Sequence, residues 1–437
     1  MKIQKIETNY KRNLFCHKTE VKPKKYSEGT EFKVLNVYPE LSYQKVIGFG
    51  GAITQAAGVM YQKLSEEQKR NFIRDYFENC NYNFCRIPIG SCDFSPESYS
   101  YAYKKELSDF SIEKDTKYIF PLLNDILKVK PDLVLLASPW SPPAFMKNNK
   151  MLVLGGKLKK KYYGLYAQYL AKYIKAYHDV GITIQYITVQ NEPNAIQTWE
   201  SCLFTAEEEV DFLTNHLVPC FKENNIQTKI LVYDHNKEKL YSRAKEIFSK
   251  CNDAVGIAFH LYTGDHFENI EICREMFPNK LLIHTEGCVE YSQFDSNNEI
   301  RHAEFYAHDM LGDLDYGCNG YIDWNLLLDH KGGPNHKKNY CGSPMMLNEA
   351  GTDYQKNLSY YYIEQITGVI RSGAVRVGYS RYTDKIEMTA FKNTDGSIAV
   401  VLLNRTDTNH EYNLCMGDIC LHDNLDSHAV VSYEIMW

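Results

Sequence analysis

A chain of 437 residues, 44% of them hydrophobic, can bury a core large enough for one big domain and a smaller one. Its 49 basic and 55 acidic residues nearly cancel to a formal charge of -6. This excludes the concentrated positive face that a nucleic-acid backbone wants, and no apolar stretch reaches the length of a membrane span.

The first 45 residues are helix-poor, with a strand-like segment at 32–37, and their opening MKIQKIETNYKRN lacks the apolar core of a signal peptide. From residue 46 short apolar runs alternate with longer amphipathic ones. Eight candidate strands follow, at 46–50, 83–88, 133–138, 186–190, 230–234, 255–260, 281–286 and 320–325. Their continuous hydrophobicity suits parallel strands covered on both faces. Helices lie between them. Ser65 and Gln68 form a capping box ahead of Phe72, Ile73, Tyr76 and Phe77, and Thr205 and Glu208 form another ahead of Leu213, Leu217 and Phe221. A further helix carries Tyr166, Leu170, Tyr173, Ile174 and Tyr177 on one face and is expected to stop at Gly181.

Eight strand–helix alternations define an α/β chain, read as a (β/α)8 TIM barrel over 46–371. After Ser372 the segments 376–382, 385–391, 398–403, 411–414 and 430–435 are short, alternating and β-branched, with a hairpin signal at Asp395-Gly396. They predict a small all-β side domain, a β-sandwich over 372–437 that also takes strands from residues 1–45.

The thirteen cysteines are scattered, without a Cys-x-x-Cys. The closest pairs, Cys80/Cys85 and Cys415/Cys420, have four residues between them. The pattern argues against a disulfide framework or a zinc knuckle, and for free thiols in a reducing, cytoplasmic compartment.

Barrel enzymes carry their chemistry where strands end and βα loops converge. The strand ends give Arg86, then Trp140, Asn191-Glu192, Asp234-His235, His260 with Tyr262, Glu286 and Asp323-Trp324-Asn325. One glutamate there could be a rim ion-pair partner. Two, on the fourth and seventh strands, would face each other across the barrel mouth. Glycoside cleavage needs that pair, one carboxylic acid to protonate the leaving oxygen and one carboxylate to attack, roughly 5 Å apart when configuration is retained. A metallohydrolase could draw on His260, His284, His302 and His308, but no His-Glu-x-x-His or similarly tight ligand spacing occurs, so no metal and no cofactor is expected. A sugar-binding protein without catalysis would have dropped one carboxylate.

Asn191-Glu192-Pro193 after the fourth strand and Glu286 ending the seventh resemble the retaining glycosidase clan with glutamates on strands four and seven. The segments GFGGAITQAAG (48–58), FCRIPIGSCDFS (84–95), ASPWSPPAFMKNN (137–149), TVQNEP (188–193), HLYTGD (260–265), TEGC (285–288) and DWNLLLDHKGGPNHKKNYCGSP (323–344) narrow the resemblance to glycoside hydrolase family 30, the glucosylceramidase-like family. The resemblance implies that Glu192 is the general acid/base and Glu286 the nucleophile. It implies that Asn191 holds the sugar's 2-hydroxyl, and that Asp93 and Trp140 bind the far side of the sugar and close the pocket. Tyr262 would bond to the nucleophile, Trp324 would form the floor, Asn339 would contact hydroxyls, and Arg86 and His260 would support. Leu261 stands where the family often has tryptophan, and His336 where animal members carry a larger aromatic. The expected activity is that of a retaining, exo-acting β-glucosidase on soluble β-glucosides or oligosaccharide ends, with ceramide glycosides also in range. A β-xylosidase or β-1,6-glucanase is the alternative. A homo-oligomer stays open.

Overall fold

The computed structural model describes residues 2–25 and 31–436. Eight parallel strands carry the barrel: β1 (Gly48–Gly51), β2 (Phe84–Ile89), β3 (Val134–Pro139), β4 (Tyr186–Thr188), β5 (Lys229–Asn236), β6 (Gly256–His260), β7 (Leu281–Glu286) and β8 (Gly320–Asp323). They pair in the order β1-β8-β7-β6-β5-β4-β3-β2. The last gap closes through a bridge between Ala52 and Arg86, with the N–H groups of Asn83 and Ile53 donating to the carbonyls of Phe49 and Arg86 at 2.9 and 2.8 Å. The inner layer holds Phe84, Leu136, Leu231, Ala258, Ile283 and Ile322, while alternate residues pack outward on helices. Each predicted strand is present. β4 ends two residues before the predicted bound, because Asn191 and Glu192 already donate their N–H groups to the carbonyls of Pro139 and Asp234.

Both capping boxes form, on α1 (Glu66–Arg74) and on α3 (Ala206–Phe212). Between them α2 (Tyr163–Asp179) buries its tyrosines and ends at Asp179, two residues short of Gly181. Two long helices, α4 (Glu299–Asp315) and α5 (Leu358–Thr367), cover the side of the barrel that meets the β domain. Among the described residues no helix is long and apolar enough to cross a membrane.

The β domain is one ten-stranded hydrogen-bonded sheet, curled so that its inner face makes its own core of Leu35, Val377, Met388, Val400, Leu414, Val431 and others. Residues from both ends of the chain build it. Lys2–Asn9 pairs with Ala429–Met436, and Val34–Lys45 with Val375–Arg381. Strands Lys2–Asn9, Leu14–Val21 and Ile419–Leu425 are additional to the predicted ones, their alternation masked by charged and amide side chains. The central strand Ile398–Asn404 is buried throughout: Ile398, Val400 and Leu402 face the domain's own core, whereas Ala399, Val401 and Leu403 pack on the barrel's helices.

The expectation of thirteen free thiols needs correction. Cys415 and Cys420 sit directly opposite each other on adjoining hairpin strands, with Cα atoms 4.2 Å apart, and form a disulfide. A cross-strand pair at a hairpin end is held together by local register, so it can form without any wider framework.

Candidate active site

The barrel's carboxyl-terminal mouth is organised by a bulge. Along β5, Ala258 of β6 pairs with Tyr233 and Phe259 with His235, so Asp234 is an extra residue. Tyr233 and Asp234 both have positive φ, 74° and 57°, which non-glycine residues adopt only when held there. The bulge sends Val232 and Tyr233 both outward and turns Asp234 into the barrel, where strict alternation would have pointed it at the helices.

Asp234 then becomes a hub. Its Oδ2 accepts from Arg86 Nη2 at 2.8 Å, Ser138 Oγ at 2.9 Å and Thr188 Oγ1 at 2.7 Å. Its Oδ1 accepts from Thr285 Oγ1 at 2.6 Å and lies 3.1 Å from His260 Nε2. Burial would raise its pKa, but Arg86 and these donors outweigh that and hold the carboxyl well below the usual range.

Both strand-end glutamates are tied to this hub. Arg86, fully buried, donates Nη1 to Glu286 Oε2 at 2.5 Å and Nη2 to Asn191 Oδ1 at 2.8 Å. Tyr262 donates its hydroxyl to Glu286 Oε1 at 3.0 Å. Across the mouth, Glu192 has a left-handed backbone, φ 47°, and its N–H donates to the Asp234 carbonyl at 2.9 Å. Its Oε1 lies 3.6 Å from His260 Nδ1. Burial alone would lower His260; the carboxylates of Glu286, Asp234 and Glu192 outweigh it and raise the imidazole to about 9. Burial would raise Glu192, but its contact with His260 and the charges of His235 and Arg86 bring it below the usual value.

The far wall is carboxylate and aromatic. Asp93 accepts from Asn335 and Asn339 at 3.1 and 3.4 Å, and burial, with Glu286 nearby, pushes it up to about 8. Trp140 and Trp324 stack at 5.3 Å, with the Arg86 guanidinium 4.7 and 5.6 Å from their ring centres. Gln190 fixes the Trp140 loop by donating to its carbonyl at 2.7 Å.

These side chains surround a cavity of about 310 Å³. Asp93, Trp140, Asn191, Glu192, Tyr262, Glu286, Trp324 and Asn339 all line it, so the eight residues expected to meet substrate or react converge. Arg86 and His260 lie behind the wall, fully buried, in contact with the glutamates. Sequence reasoning did not single out Phe94, Gln197, Trp199, Asn236, Cys288, Glu290 or Cys341, which also line it. Most come from loops, where no periodicity marks direction. Asp234 is among the strand-end residues that the sequence offers, but the bulge that aims it into the barrel leaves no pattern in sequence.

His284, Asp309 and Asp313 converge behind β7, yet Lys237 Nζ lies 2.5 and 2.9 Å from the two aspartates and supplies the positive charge they need.

A (β/α)8 barrel with two glutamates at the ends of strands four and seven, and a β domain at its side, defines a glycoside hydrolase. The sequence profile of the glycosyl hydrolase family 30 TIM-barrel domain matches residues 46–370, and that of the family 30 β-sandwich domain matches residues 373–433. The chain belongs to glycosyl hydrolase family 30. It is 32% identical to the lysosomal acid glucosylceramidase of Mus musculus over 399 residues, 85% of this chain and 77% of the relative. It superposes on SrfJ from Salmonella typhimurium with a TM-score of 0.97 at 34% identity, all of both chains covered. Against the endo-β1,6-glucanase BT3312 the TM-score is 0.89 at 27% identity, with 99% of each chain covered.

Proposed function

We propose that this glycosidase removes a terminal β-linked glucosyl unit by double displacement, Glu286 acting as nucleophile and Glu192 as general acid/base. One observation carries this: the two glutamates wall the same small cavity, each held by different partners. Glu286 is clamped by a guanidinium and a phenol, as an ionised nucleophile requires. Glu192 instead stands 3.6 Å from the His260 imidazole, a group able to supply a proton.

A sugar entering the cavity displaces water from Glu192 and makes its charged form costlier, so the proton passes from His260 to Glu192 and then to the leaving oxygen. Glu286 attacks the anomeric carbon from the other face. Tyr262 releases Glu286 Oε1 as the glycosyl bond forms. Glu192, now ionised, takes a proton from water and directs it at the glycosyl ester, which restores both groups. Asn191, held by Arg86, is placed for the sugar's 2-hydroxyl, and Asp93 with Asn339 for hydroxyls at the far end.

The cavity volume lies at the low end for ligand pockets. That favours one sugar bound deep, hence exo action. Beyond the Glu192 side the rim carries Gln197 and Trp199 and then exposed Ile196, Leu154 and Met151, a surface suited to an apolar or sugar aglycone. Soluble β-glucosides, oligosaccharide ends and ceramide glucosides all fit this description. The second reading is an endo-acting β-1,6-glucanase, favoured by the likeness to BT3312 and by Trp199 as a platform at the pocket's rim; a β-xylosidase is the third.

Nitrophenyl β-glycosides of glucose, xylose, galactose and fucose, a β-1,6-glucan and micellar glucosylceramide test these against one another. The glucoside should lead by about tenfold or more in kcat/KM, the order one lost hydroxymethyl contact supplies, and glucose should be the sole early product from glucan. Mixed oligomers released early would favour the endo reading.

A further inference from the structure

Two thiols wall the sugar cavity, and no step of the hydrolysis uses them. Cys288 follows Glu286 by two residues; Cys341 lies on the loop after β8. Val289–Glu290 pairs antiparallel with Cys341–Gly342, Val289 opposite Gly342 and Glu290 opposite Cys341. The same register makes Cys288 and Cys341 diagonal neighbours on one face. Both line the cavity. The Tyr262 hydroxyl, which holds Glu286, lies 3.5 Å from Cys288 Sγ. The carboxylates of Asp93, Glu290 and Glu286 all bear on Cys341.

We infer that Cys288 and Cys341 form a two-thiolate site for a thiophilic d10 cation of the silver, copper(I) or mercuric class, and that such an ion closes the sugar pocket. A diagonal strand pair has Cα atoms roughly 7–8 Å apart, beyond the usual reach of a disulfide. A two-coordinate ion instead spans about 4.6 Å between sulfurs, taking a metal–sulfur distance of about 2.3 Å, a longer reach than a disulfide's. Soft thiolates select such ions over hard ones. Each thiol gives its proton to solvent, two sulfur–metal bonds form, and nothing is oxidised or reduced. Glu286 and Glu290 on the same wall favour a cation over an anion. Once bound, the cation occupies sugar space beside Tyr262 and Glu286.

Silver ion is the probe, with nitrophenyl glucoside hydrolysis read in parallel. About one equivalent of silver should cut activity at least tenfold, excess dithiothreitol should restore it, and a saturating sugar should protect. Cys288→Ala and Cys341→Ala should each raise the half-inhibiting concentration by about a hundredfold relative to the variant's own uninhibited rate. Cys16→Ala, a thiol between the barrel and the β domain, should leave it unchanged. Equal silver sensitivity in all three variants would overturn the site. Should an alanine variant fold poorly, silver-edge X-ray absorption on the unaltered chain decides: two sulfur neighbours support the pair, and a single sulfur or only light donors contradict it.

Discussion

The backbone N–H of Glu192 donates to the carbonyl of Asp234 at 2.9 Å, and His260 stands between their carboxylates, 3.6 Å from one and 3.1 Å from the other. Through Arg86 the same aspartate reaches Glu286. One inward-turned residue therefore sets the position of one glutamate's main chain, the charge of the histidine beside it, and the cation that faces the other. Neither glutamate can shift without disturbing a group that Asp234 holds.

Asp234→Asn should accordingly harm both chemistry and folding. Loss of the charge leaves Arg86 with a single carboxylate inside a buried network, which costs about 3–5 kcal/mol where one partner of a buried pair is removed. We expect kcat/KM to fall by roughly a thousandfold, the order seen when an orienting group is lost, with a clearly lower denaturation midpoint. Parental activity together with parental stability would remove Asp234 from its central place.

The Glu192–His260 pair predicts a particular pH profile. His260 keeps its proton up to about 9, so below that pH the pair can protonate a leaving alcohol and above it cannot. For an alkyl glucoside kcat/KM should fall as pH rises through about 9. In His260→Gln only a carboxyl remains to hold the proton, and the falling limb should move down by roughly two or more pH units. A limb unmoved by the substitution would place the proton elsewhere.

Asp93 supplies a stability test with a definite sign. Burial and Glu286 raise its folded pKa to about 8, above its unfolded value, so folding favours the protonated form. Its contribution is greatest at low pH and is lost as pH rises through about 8. Asp93→Asn cannot ionise. Its Tm relative to the natural chain should climb by a few degrees between about pH 4 and pH 9 while sugar binding weakens, as thermal scans at several pH values would read. A constant difference would show that Asp93 is ordinary in its titration.

Removal of residues 373–437 should leave the barrel insoluble. The deleted strands include Ala399, Val401 and Leu403, packed on the barrel's helices, and Val430 and Ser432, whose main chain and hydroxyl bond to Gln365 on α5. Their loss exposes a contiguous apolar face larger than a monomer tolerates. Gel filtration showing a soluble, active truncation would make the two parts independent.

Much of the barrel could be read in advance because its strands are buried on both faces, and uninterrupted runs such as VLLA have few alternatives. Glu192 and Glu286 were legible for the same reason: a carboxylate that closes such a run contradicts its surroundings. Asp234 also closes one, yet its importance rests on a bulge set by the pairing with β6, a long-range choice. Trp199 and Glu290 come from loops whose path no local rule fixes. The sheet strand Ile419–Leu425 was hidden by Asp423 and Asn424, which favour turns. The Cys415–Cys420 bond depended on register across a hairpin whose second strand had not been recognised.

The assignment of the two glutamates is tested most directly by azide rescue with a dinitrophenyl β-glucoside. This leaving group needs little protonation, so Glu192→Ala should still form the glycosyl–enzyme and then stall without a base to activate water. Azide needs no base and should release the β-glucosyl azide. Glu286→Ala should lose nearly all turnover, and azide entering from the vacated face should give the α-glucosyl azide. Proton NMR of the anomeric region distinguishes the products. The account predicts β from Glu192→Ala and α from Glu286→Ala; exchanged products would invert the roles, and no azide product from either variant would contradict double displacement.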